Sequence, residues 1–307
     1  MKKVLLIAGG GTLGTYTAKE LLNKGCAVDV ICLEDYTSNN PKLCYHKAKA
    51  DLNYLTEFLK DKYYDGIVNF IHYYVPEMYK PVHKLLTSKT DQLIFLSSYR
   101  VYAESKQPLT EEAPFLADVV EDEEFLKSED YAVPKAICEK FLREESGTEN
   151  WTVVRPVISF SDKRFDLVTV SGHEIIDAAR SGKTVILPEA AKNLTAGLDW
   201  AGNSGKLIAN LLFKKECLGE AYTVSSGQNL TWGEVADIYT RLTGVNFRWA
   251  DTEEYVSTGH GGNGLFYDRL YDRAVDNTKI LKATGFKKED FTSIEDGIKI
   301  ELNNIGF

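Results

Sequence analysis

The chain has 307 residues, of which 44% are hydrophobic and 26% charged, so its composition excludes disordered, collagen-like and disulfide-stapled proteins. Forty-five acidic against 36 basic residues give a net charge of −9, which disfavours broad binding to a nucleic-acid backbone. The longest apolar run, residues 4–8, is too short to span a bilayer. Glycines interrupt it too early for a signal peptide, so we expect a cytoplasmic protein.

Strand and helix patterns alternate from the first residues onward. Residues 4–7 form a continuous apolar run that predicts a buried strand, residues 16–23 have helical periodicity, and residues 28–33 predict a second strand. The alternation continues with helices over 52–60, 76–86 and 135–144 and strands over 66–71, 92–97 and 151–154. This pattern predicts a doubly wound parallel sheet in an α/β protein.

Beyond Pro156 the pattern is less regular. Helices are still predicted over residues 172–181, 207–213 and 231–243, and residues 259–264 read as a glycine-rich loop, which we expect to be flexible. The five cysteines are odd in number and include no CxxC pair, so we expect reduced, mostly buried thiols. No His/Cys group has zinc spacing, so no metal site is predicted.

A glycine-rich turn joins the first predicted strand to the first predicted helix. Residues 8–14 read Ala-Gly-Gly-Gly-Thr-Leu-Gly. Glycines let a backbone approach a pyrophosphate closely, and the N-terminus of the following helix offers amide donors to it. In this strand–turn–helix context the turn predicts a dinucleotide site, with a purely structural tight turn as the alternative.

The acid that would bind the adenosine ribose is expected at the end of the second strand. Glu34 and Asp35 are the candidates, and the next basic residue is Lys42, which favours NAD over NADP. Asp51 follows the third predicted strand. It is interpreted either as a hydrogen-bond acceptor for the adenine amino group or as the N-cap of the next helix.

The motif Tyr-x-x-x-Lys places a phenol and an ammonium one helical turn apart. A free phenol has a pKa near 10, and a nearby cation stabilises its anionic form, so such a pair can serve as an acid/base at neutral pH. The motif occurs three times, as Tyr45/Lys49, Tyr102/Lys106 and Tyr131/Lys135. Tyr45 is interpreted as preceding the third strand and the second pair as lying in a loop, so only the third pair opens a helix.

Ser98 follows the predicted strand over residues 92–97. A hydroxyl at the carboxyl end of a parallel strand faces the crevice in which such folds bind ligands. Ser98 is therefore a candidate to orient a substrate oxygen toward Tyr131, with a strand-ending turn serine as the alternative.

These residues resemble the extended short-chain dehydrogenase/reductase family, the NAD-dependent epimerase/dehydratase group that includes UDP-galactose 4-epimerase. The resemblance rests on residues 93–102, 108–114, 131–135 and 155–156. Late segments, 219–222 with 230–232 and 276–280 with 285–286, look closest to the chloroplast stem-loop-binding proteins and their bacterial relatives. Ala8 stands where the family has its first glycine, and Cys32 stands where it has its ribose acid.

The resemblance implies a Rossmann domain over residues 1–157 and about 193–226, and a substrate domain over residues 158–192 and 227–307. It implies a catalytic set of Ser98, Tyr131 and Lys135. The implied cofactor contacts are Gly9, Gly11, Thr12, Leu13, Gly14, Glu34, Asp51, Leu52, Phe70, Ile71, His72, Ser97, Tyr131, Lys135, Pro156 and Ile158. The implied substrate contacts are Arg100, His173 and Asp199.

The implied activity is reversible hydride transfer between NAD and a hydroxyl or keto group of a sugar-nucleotide-like substrate, as in an epimerase. Tyr99 and Arg100 follow Ser98 in place of an acidic pair, which disfavours a dehydratase. The alternatives are a dehydrogenase or reductase of another small carbonyl compound, and a non-catalytic NAD(H)- or RNA-binding protein. A homodimer through residues 76–86 and 135–144 is expected by analogy.

Overall fold

The computed structural model describes residues 1–129 and 131–307. Its central element is a seven-stranded parallel sheet in the order β3-β2-β1-β4-β5-β6-β10. The strands of the chain are β1 (Lys3–Ile7), β2 (Ala27–Cys32), β3 (Leu43–Lys47), β4 (Gly66–Asn69), β5 (Leu93–Leu96), β6 (Trp151–Pro156), β7 (Ile158–Phe160), β8 (Thr184–Pro188), β9 (Leu198–Trp200), β10 (Glu220–Val224) and β11 (Asn246–Ala250).

Helices cover both faces of this sheet. The α-helices of the described chain are α1 (Thr12–Asn23), α2 (Leu52–Phe58), α3 (Tyr79–Thr87), α4 (Leu116–Val119), α5 (Glu123–Ser128), α6 (Ala132–Glu144), α7 (Gly172–Ser181), α8 (Ala201–Leu211), α9 (Trp232–Thr243), α10 (Thr252–Tyr255), α11 (Thr278–Thr284) and α12 (Ile294–Asn304). One core contains side chains of α1, α8 and α11, and those of α2 and α3 lie in the core on the opposite face. The predicted doubly wound parallel sheet is confirmed.

The strand order reverses at β1, which pairs with β2 on one side and with β4 on the other. Helices crossing to opposite faces leave a crevice at the carboxyl ends of these strands. Val4, Leu5, Leu6 and Ile7 are completely buried, as expected for a strand covered on both faces. The apolar run of β1 therefore fixes the centre of the sheet, and the crevice opens directly after it.

Two predictions of local structure are corrected, and a third can be placed in the fold. Tyr45 lies inside β3, not before it, because the strand spans Leu43–Lys47. Helix α8 begins at Ala201, six residues before its predicted start, because its small residues pack closely: a Cβ at Gly205 would lie 2.6 Å from the Tyr16 backbone of α1. The glycine-rich segment 259–264 begins inside one π-helical turn, Val256–His260, and precedes another, Leu265–Arg269. The His260 ring lies 2.9 Å from Glu174, and the flexibility of the segment stays a prediction.

The C-terminal half adds a second core beside the sheet. It contains two small parallel pairs, β8 with β11 and β7 with β9, packed around buried aromatic side chains such as Trp232 and Tyr239. All five cysteines are free thiols and four of them are buried, as predicted. Across residues 1–129 and 131–307, no helix combines the length and apolarity that crossing a membrane would need.

Candidate functional site

A cavity of about 350 Å³ opens at the carboxyl ends of β1, β4, β5 and β6. Its lining residues are Ala8, Gly11, Thr12, Leu13, Gly14, Phe70, Leu96, Ser97, Ser98, Tyr99, Arg100, Tyr131, Pro156, Val157, Ile158, Ser159, Arg164 and Arg269. One cavity thus brings the glycine-rich turn together with Ser98 and Tyr131, which are 84 residues or more beyond the end of that turn in the sequence.

The glycine-rich turn leaves the N-terminus of α1 open to a ligand. Gly11 is the N-cap residue, and α1 has no side-chain cap hydrogen bond at its first amides among the residues that the structure describes. A Cβ on Gly11 would meet nothing within 4 Å, whereas a Cβ on Gly14 would lie 2.3 Å from the Gly9 carbonyl oxygen. Gly14 therefore packs the helix onto the strand end, and Gly11 keeps the space above the amides free for an anion.

The residue before the glycines has an unfavourable backbone conformation. Ala8 has φ 55°, in the left-handed region that favours glycine. This is the position at which the resembling family has its first glycine. Ala8 thus adopts a backbone conformation that a glycine at this position would accept without strain.

Two side chains stand near the position expected for the adenosine ribose. The Glu34 carboxylate lies beside Gly10, since a Cβ there would be 2.4 Å from Glu34 Oε2, while Cys32 is buried. Lys163 donates from Nζ to the Gly10 carbonyl oxygen at 2.6 Å and to the Tyr36 hydroxyl at 3.2 Å. The prediction of NAD rests on the bases near Glu34 in sequence, whereas a loop distant in sequence also brings Lys163 to this turn.

Ser97 and Ser98 follow β5 directly and are both buried. Among the described residues, Ser97 Oγ has no hydrogen-bond partner although it is buried and its residue lines the cavity. Ser98 Oγ accepts a hydrogen bond from the Arg100 backbone N–H at 3.2 Å, which orients the hydroxyl at the start of a short helical turn. Both hydroxyls are therefore available to a ligand in the cavity.

Tyr131 and Lys135 lie at the beginning of α6. The Tyr131 backbone N–H donates to Glu129 Oε1 at 2.9 Å, and Lys135 Nζ donates to the Leu96 carbonyl oxygen at 2.7 Å. Lys135 Nζ is 5.2 Å from the centre of the Tyr131 ring. Burial lowers the pKa of Lys135 to about 8, because the ammonium loses most of its contact with water.

A buried ion pair holds α6 against the sheet. Arg155 of β6 donates to both carboxylate oxygens of Glu139, from Nε at 3.0 Å and from Nη2 at 2.5 Å, and its Nη1 donates to the Tyr102 hydroxyl at 2.9 Å. Glu139 lies one helical turn after Lys135. The ion pair therefore also fixes the register of Lys135 relative to the end of β5.

Two further side chains flank the Tyr131 ring. The Arg100 guanidinium carbon lies 4.8 Å from the ring centre, and the His72 ring centre lies 5.0 Å from it. Arg100 in turn contacts the Asp268 carboxylate, with Nε 3.2 Å from Oδ2. Asp268 and its neighbour Arg269 reach the site from the C-terminal half, and the sequence pattern gave no signal for either residue.

Most predicted cofactor residues line the cavity, and several predicted residues do not. Asp51 accepts a hydrogen bond from the Tyr54 backbone N–H at 3.0 Å, which makes it the N-cap of α2 and leaves the adenine interpretation untested. The residues that lie outside the lining are Gly9, Glu34, Asp51, Leu52, Ile71, His72, Lys135, His173 and Asp199.

Two predicted substrate residues lie outside the lining of this cavity. His173 is exposed and lines a separate cavity of about 240 Å³ near α7. Asp199 is completely buried, where it accepts hydrogen bonds from the Ser226 backbone N–H and from Asn203, so its carboxylate supports the fold and lies outside this cavity. Burial raises the pKa of Asp199 to about 6.

One group of metal-ligand types does come together, at the edge of the sheet. The ligand atoms of Asp29, Cys44 and His46 all lie within 4.8 Å of one another. His46 Nε2 is 2.8 Å from Asp29 Oδ1, and the Tyr64 hydroxyl donates to Asp29 Oδ2 at 2.8 Å. Hydrogen bonds therefore already satisfy this carboxylate. The sequence spacing gave no sign of the group because it forms across two strands.

No protein-family model and no curated protein matches the chain. Solved structures do resemble it. An epimerase from Methanothermobacter thermautotrophicus is 14% identical with a TM-score of 0.74, over 98% of this chain and 91% of that one. The dTDP-glucose 4,6-dehydratase of Bacillus anthracis, in complex with NAD, is 16% identical with a TM-score of 0.73, over 99% and 96%.

A third structure carries a substrate in its complex. The UDP-glucuronic acid 4-epimerase of Bacillus cereus, solved with UDP-glucuronic acid and NAD, is 13% identical with a TM-score of 0.71, over 99% of both chains. At these identities the likeness establishes a shared fold over nearly the whole chain.

Proposed function

We propose that this protein is an NAD-dependent enzyme of the epimerase/dehydratase type. It would transfer hydride reversibly at a hydroxyl-bearing carbon of a sugar-nucleotide-like substrate. The observation that carries the proposal is the single cavity that joins the open N-terminus of α1 to Ser98 and Tyr131. Solved structures with this fold include an epimerase and a dehydratase in complex with NAD, which supports the same choice of cofactor.

The chain's own residues fit a dinucleotide at one end of the cavity. The amides of α1 would hold the pyrophosphate, and Glu34 would accept a hydrogen bond from the adenosine ribose. The unpartnered Ser97 hydroxyl faces the same space. When bound, NAD accepts a hydride at its nicotinamide ring and can return it.

At the other end, Ser98 and Tyr131 would handle the substrate oxygen. Ser98 Oγ would bind and orient the hydroxyl, and the Tyr131 phenol oxygen would take its proton as the carbon–oxygen bond gains double-bond character. Lys135 Nζ lies 5.2 Å and the Arg100 guanidinium carbon 4.8 Å from the centre of the Tyr131 ring, so both cations favour the phenolate form that accepts the proton. The tyrosine would return the proton when the hydride is returned.

Epimerisation or simple oxidoreduction is favoured over dehydration. Eliminating water needs an additional acid and base close to the substrate. The residues that follow Ser98 are Tyr99 and Arg100, and no carboxylate is among the described residues that line the cavity. The site can therefore exchange a hydride and a proton, but offers no acid for loss of water.

The test begins with freshly purified protein, which is denatured so that any released nucleotide can be identified by chromatography and mass spectrometry. Near-stoichiometric NAD supports an epimerase that recycles its own cofactor. Protein that releases none is titrated with NAD and with NADP, and binding of either supports an oxidoreductase with exchangeable cofactor. If neither binds, the proposed function is wrong.

A further inference from the structure

The substrate end of the cavity is cationic although the chain carries a net charge of −9. Three arginines, Arg100, Arg164 and Arg269, line the cavity, while its described lining includes no aspartate or glutamate. Arg164 is balanced by Asp166, with Nε 2.5 Å from Oδ2. The other two guanidiniums belong to a buried charge group that extends away from the cavity.

Within the ion pairs of the described residues, this group has more positive than negative charge. The fully buried carboxylate of Asp268 contacts three guanidiniums, those of Arg100, Arg269 and Arg273. Glu129 contributes a second carboxylate, 3.7 Å from Arg100 Nη2. Three guanidiniums thus share two carboxylates among the ion pairs of the described residues. A charge that is shielded from water and incompletely paired is costly, so an anion in the cavity would stabilise the group.

Arg100 is the member of the group that lies next to the chemistry. Its guanidinium carbon is 4.8 Å from the centre of the Tyr131 ring, and its backbone N–H holds Ser98 Oγ. A guanidinium has five N–H donors, and the two ion pairs of Arg100 engage only Nε and Nη2. Donors remain for an anion that lies beside the substrate oxygen bound between Ser98 and Tyr131.

We propose that the substrate carries a carboxylate close to its reacting carbon and that Arg100 binds this carboxylate. The inference rests on the proposed function, because Ser98 and Tyr131 define where the reacting carbon lies. A carboxylate is favoured over a phosphate because the ion pairs of the described residues leave one guanidinium charge unmatched, whereas a phosphate ester carries about two negative charges at neutral pH. The substrate class is accordingly a sugar acid, with uronate-type sugars as the nearest fit.

The experiment compares UDP-glucuronic acid with UDP-glucose, which differ only by a carboxylate in place of a hydroxymethyl group. Dissociation constants are measured by calorimetry on the full chain with NAD present. We expect the acid to bind about 10- to 100-fold more tightly, as a charge-assisted hydrogen bond would allow. In Arg100→Gln the preference should fall to less than about threefold, while UDP-glucose binds as before.

Two controls separate recognition from support of the fold. Arg241→Gln removes an arginine that is paired with Glu295 on the surface, and its preference for the acid should equal that of the wild type. If Arg100 had only a structural role, Arg100→Gln would weaken both ligands equally. Equal binding of the two ligands by the wild type overturns the inference, and this result does not depend on any variant. A preference for the acid that survives in Arg100→Gln also overturns it.

The proposal can fail separately from the proposed function. A protein that binds NAD but does not distinguish the two ligands is an oxidoreductase for a neutral substrate. If neither UDP-sugar binds, free D-glucuronate and D-glucose are compared by ligand-observed NMR. Selective binding of the acid supports the inference, and binding of neither overturns it. Displacement of glucuronate by inorganic phosphate more strongly than by acetate would assign the subsite to a phosphate group and contradict the carboxylate.

Discussion

The two ends of the cavity are built in different ways. The nucleotide end consists of backbone amides and small residues from one continuous stretch, residues 8–14, at the end of β1. The proposed substrate end is lined by Ser98, Tyr131 and Arg100. Behind this lining, carboxylates from two distant segments, Glu129 and Asp268, hold the Arg100 guanidinium. One end depends on the conformation of a single turn, and the other depends on how the two halves of the chain pack together.

Because of this difference, the two ends of the cavity should tolerate different kinds of substitution. At the proposed nucleotide end, a methyl group added to Gly14 would collide with the backbone, and one added to Gly11 would occupy open space beside the α1 amides. Shape is therefore the constraint there. At the substrate end the constraint is charge balance, because each carboxylate serves more than one partner. Glu129, for example, holds the backbone N–H of Tyr131 and also lies near Arg100. Substitutions at the two ends should therefore change different measured quantities.

The largest effect is expected at the substrate end. Tyr131→Phe removes the phenol oxygen that would carry the proton, and kcat should fall by about 1,000-fold, within the range of acid/base catalysis. The dissociation constant of NAD should change little, since the ring remains. The matched control is Tyr45→Phe, which makes the same change in β3, and it should retain full activity. Equal activity of Tyr131→Phe and wild type would remove Tyr131 from the mechanism.

The lowered pKa of Lys135 predicts opposite pH dependences for activity and stability: above pH 8, activity should fall and the contribution of Lys135 to stability should rise. Its pKa in the folded protein is about 8, so the ammonium is lost above pH 8 and kcat/KM should decline there. The unfolded chain keeps this proton until its ordinary value of 10.5, so the contribution of Lys135 to stability rises as the pH increases from 8 to 10.5.

The stability arm is measured by urea unfolding of wild type and Lys135→Met. The wild type should gain about 2 kcal/mol relative to the variant between pH 7 and pH 9.5. A constant difference between the two proteins would mean that Lys135 keeps its ordinary pKa despite its burial.

Two glycines at the nucleotide end should separate stability from cofactor affinity. Gly14→Ala places a Cβ 2.3 Å from the Gly9 carbonyl oxygen, so it should lower the free energy of unfolding by about 2 kcal/mol. Gly11→Ala meets no protein atom within 4 Å, so it should fold normally and weaken NAD binding about tenfold or more. Chemical denaturation and NAD titration of both variants measure the two effects, and the same outcome for both would remove the distinction.

The sequence predicted the nucleotide end better than the substrate end for physical reasons. A buried strand, a glycine turn and a helix are local patterns, so β1, the turn and α1 could all be expected from residues 4–23. Ser98 and Tyr131 could also be found, because each stands at the end of a predicted element. Asp199 has the charge of a ligand-binding residue, and only its burial shows that it serves the fold.

The residues that the sequence could not reveal are those brought in by tertiary packing. Lys163 contacts Gly10, which is 153 positions away in the sequence. Asp268 contacts Arg100 from the segment just after the glycine-rich loop 259–264. No local periodicity encodes such contacts. The cofactor preference was predicted from the bases near Glu34 in sequence, and the spatial neighbour Lys163 now has to be included.

A smaller effect, on the preference between NAD and NADP, tests the role of Lys163. Glu34 would repel the 2′-phosphate of NADP, while Lys163 would attract it. Glu34→Gln should therefore raise NADP affinity relative to NAD by about five- to tenfold, and the gain should vanish in Glu34→Gln/Lys163→Met. Titration of NAD and NADP against wild type, Glu34→Gln, Lys163→Met and the double variant gives the coupling free energy between Glu34 and Lys163. A gain that persists without Lys163 would show that the lysine does not face the ribose position.

The smallest effect concerns Ala8, which has an unfavourable backbone conformation at the start of the glycine-rich turn. Its φ of 55° costs an L-residue free energy that glycine does not pay, although glycine also loses more entropy on folding. Ala8→Gly should therefore stabilise the protein by about 0.5 to 1 kcal/mol in urea unfolding. The same change at Ala179, inside α7, should instead destabilise it by about 1 kcal/mol. If both variants lose stability, the turn is held in another conformation, and the nucleotide end is not the preformed, backbone-built site that its glycines indicate.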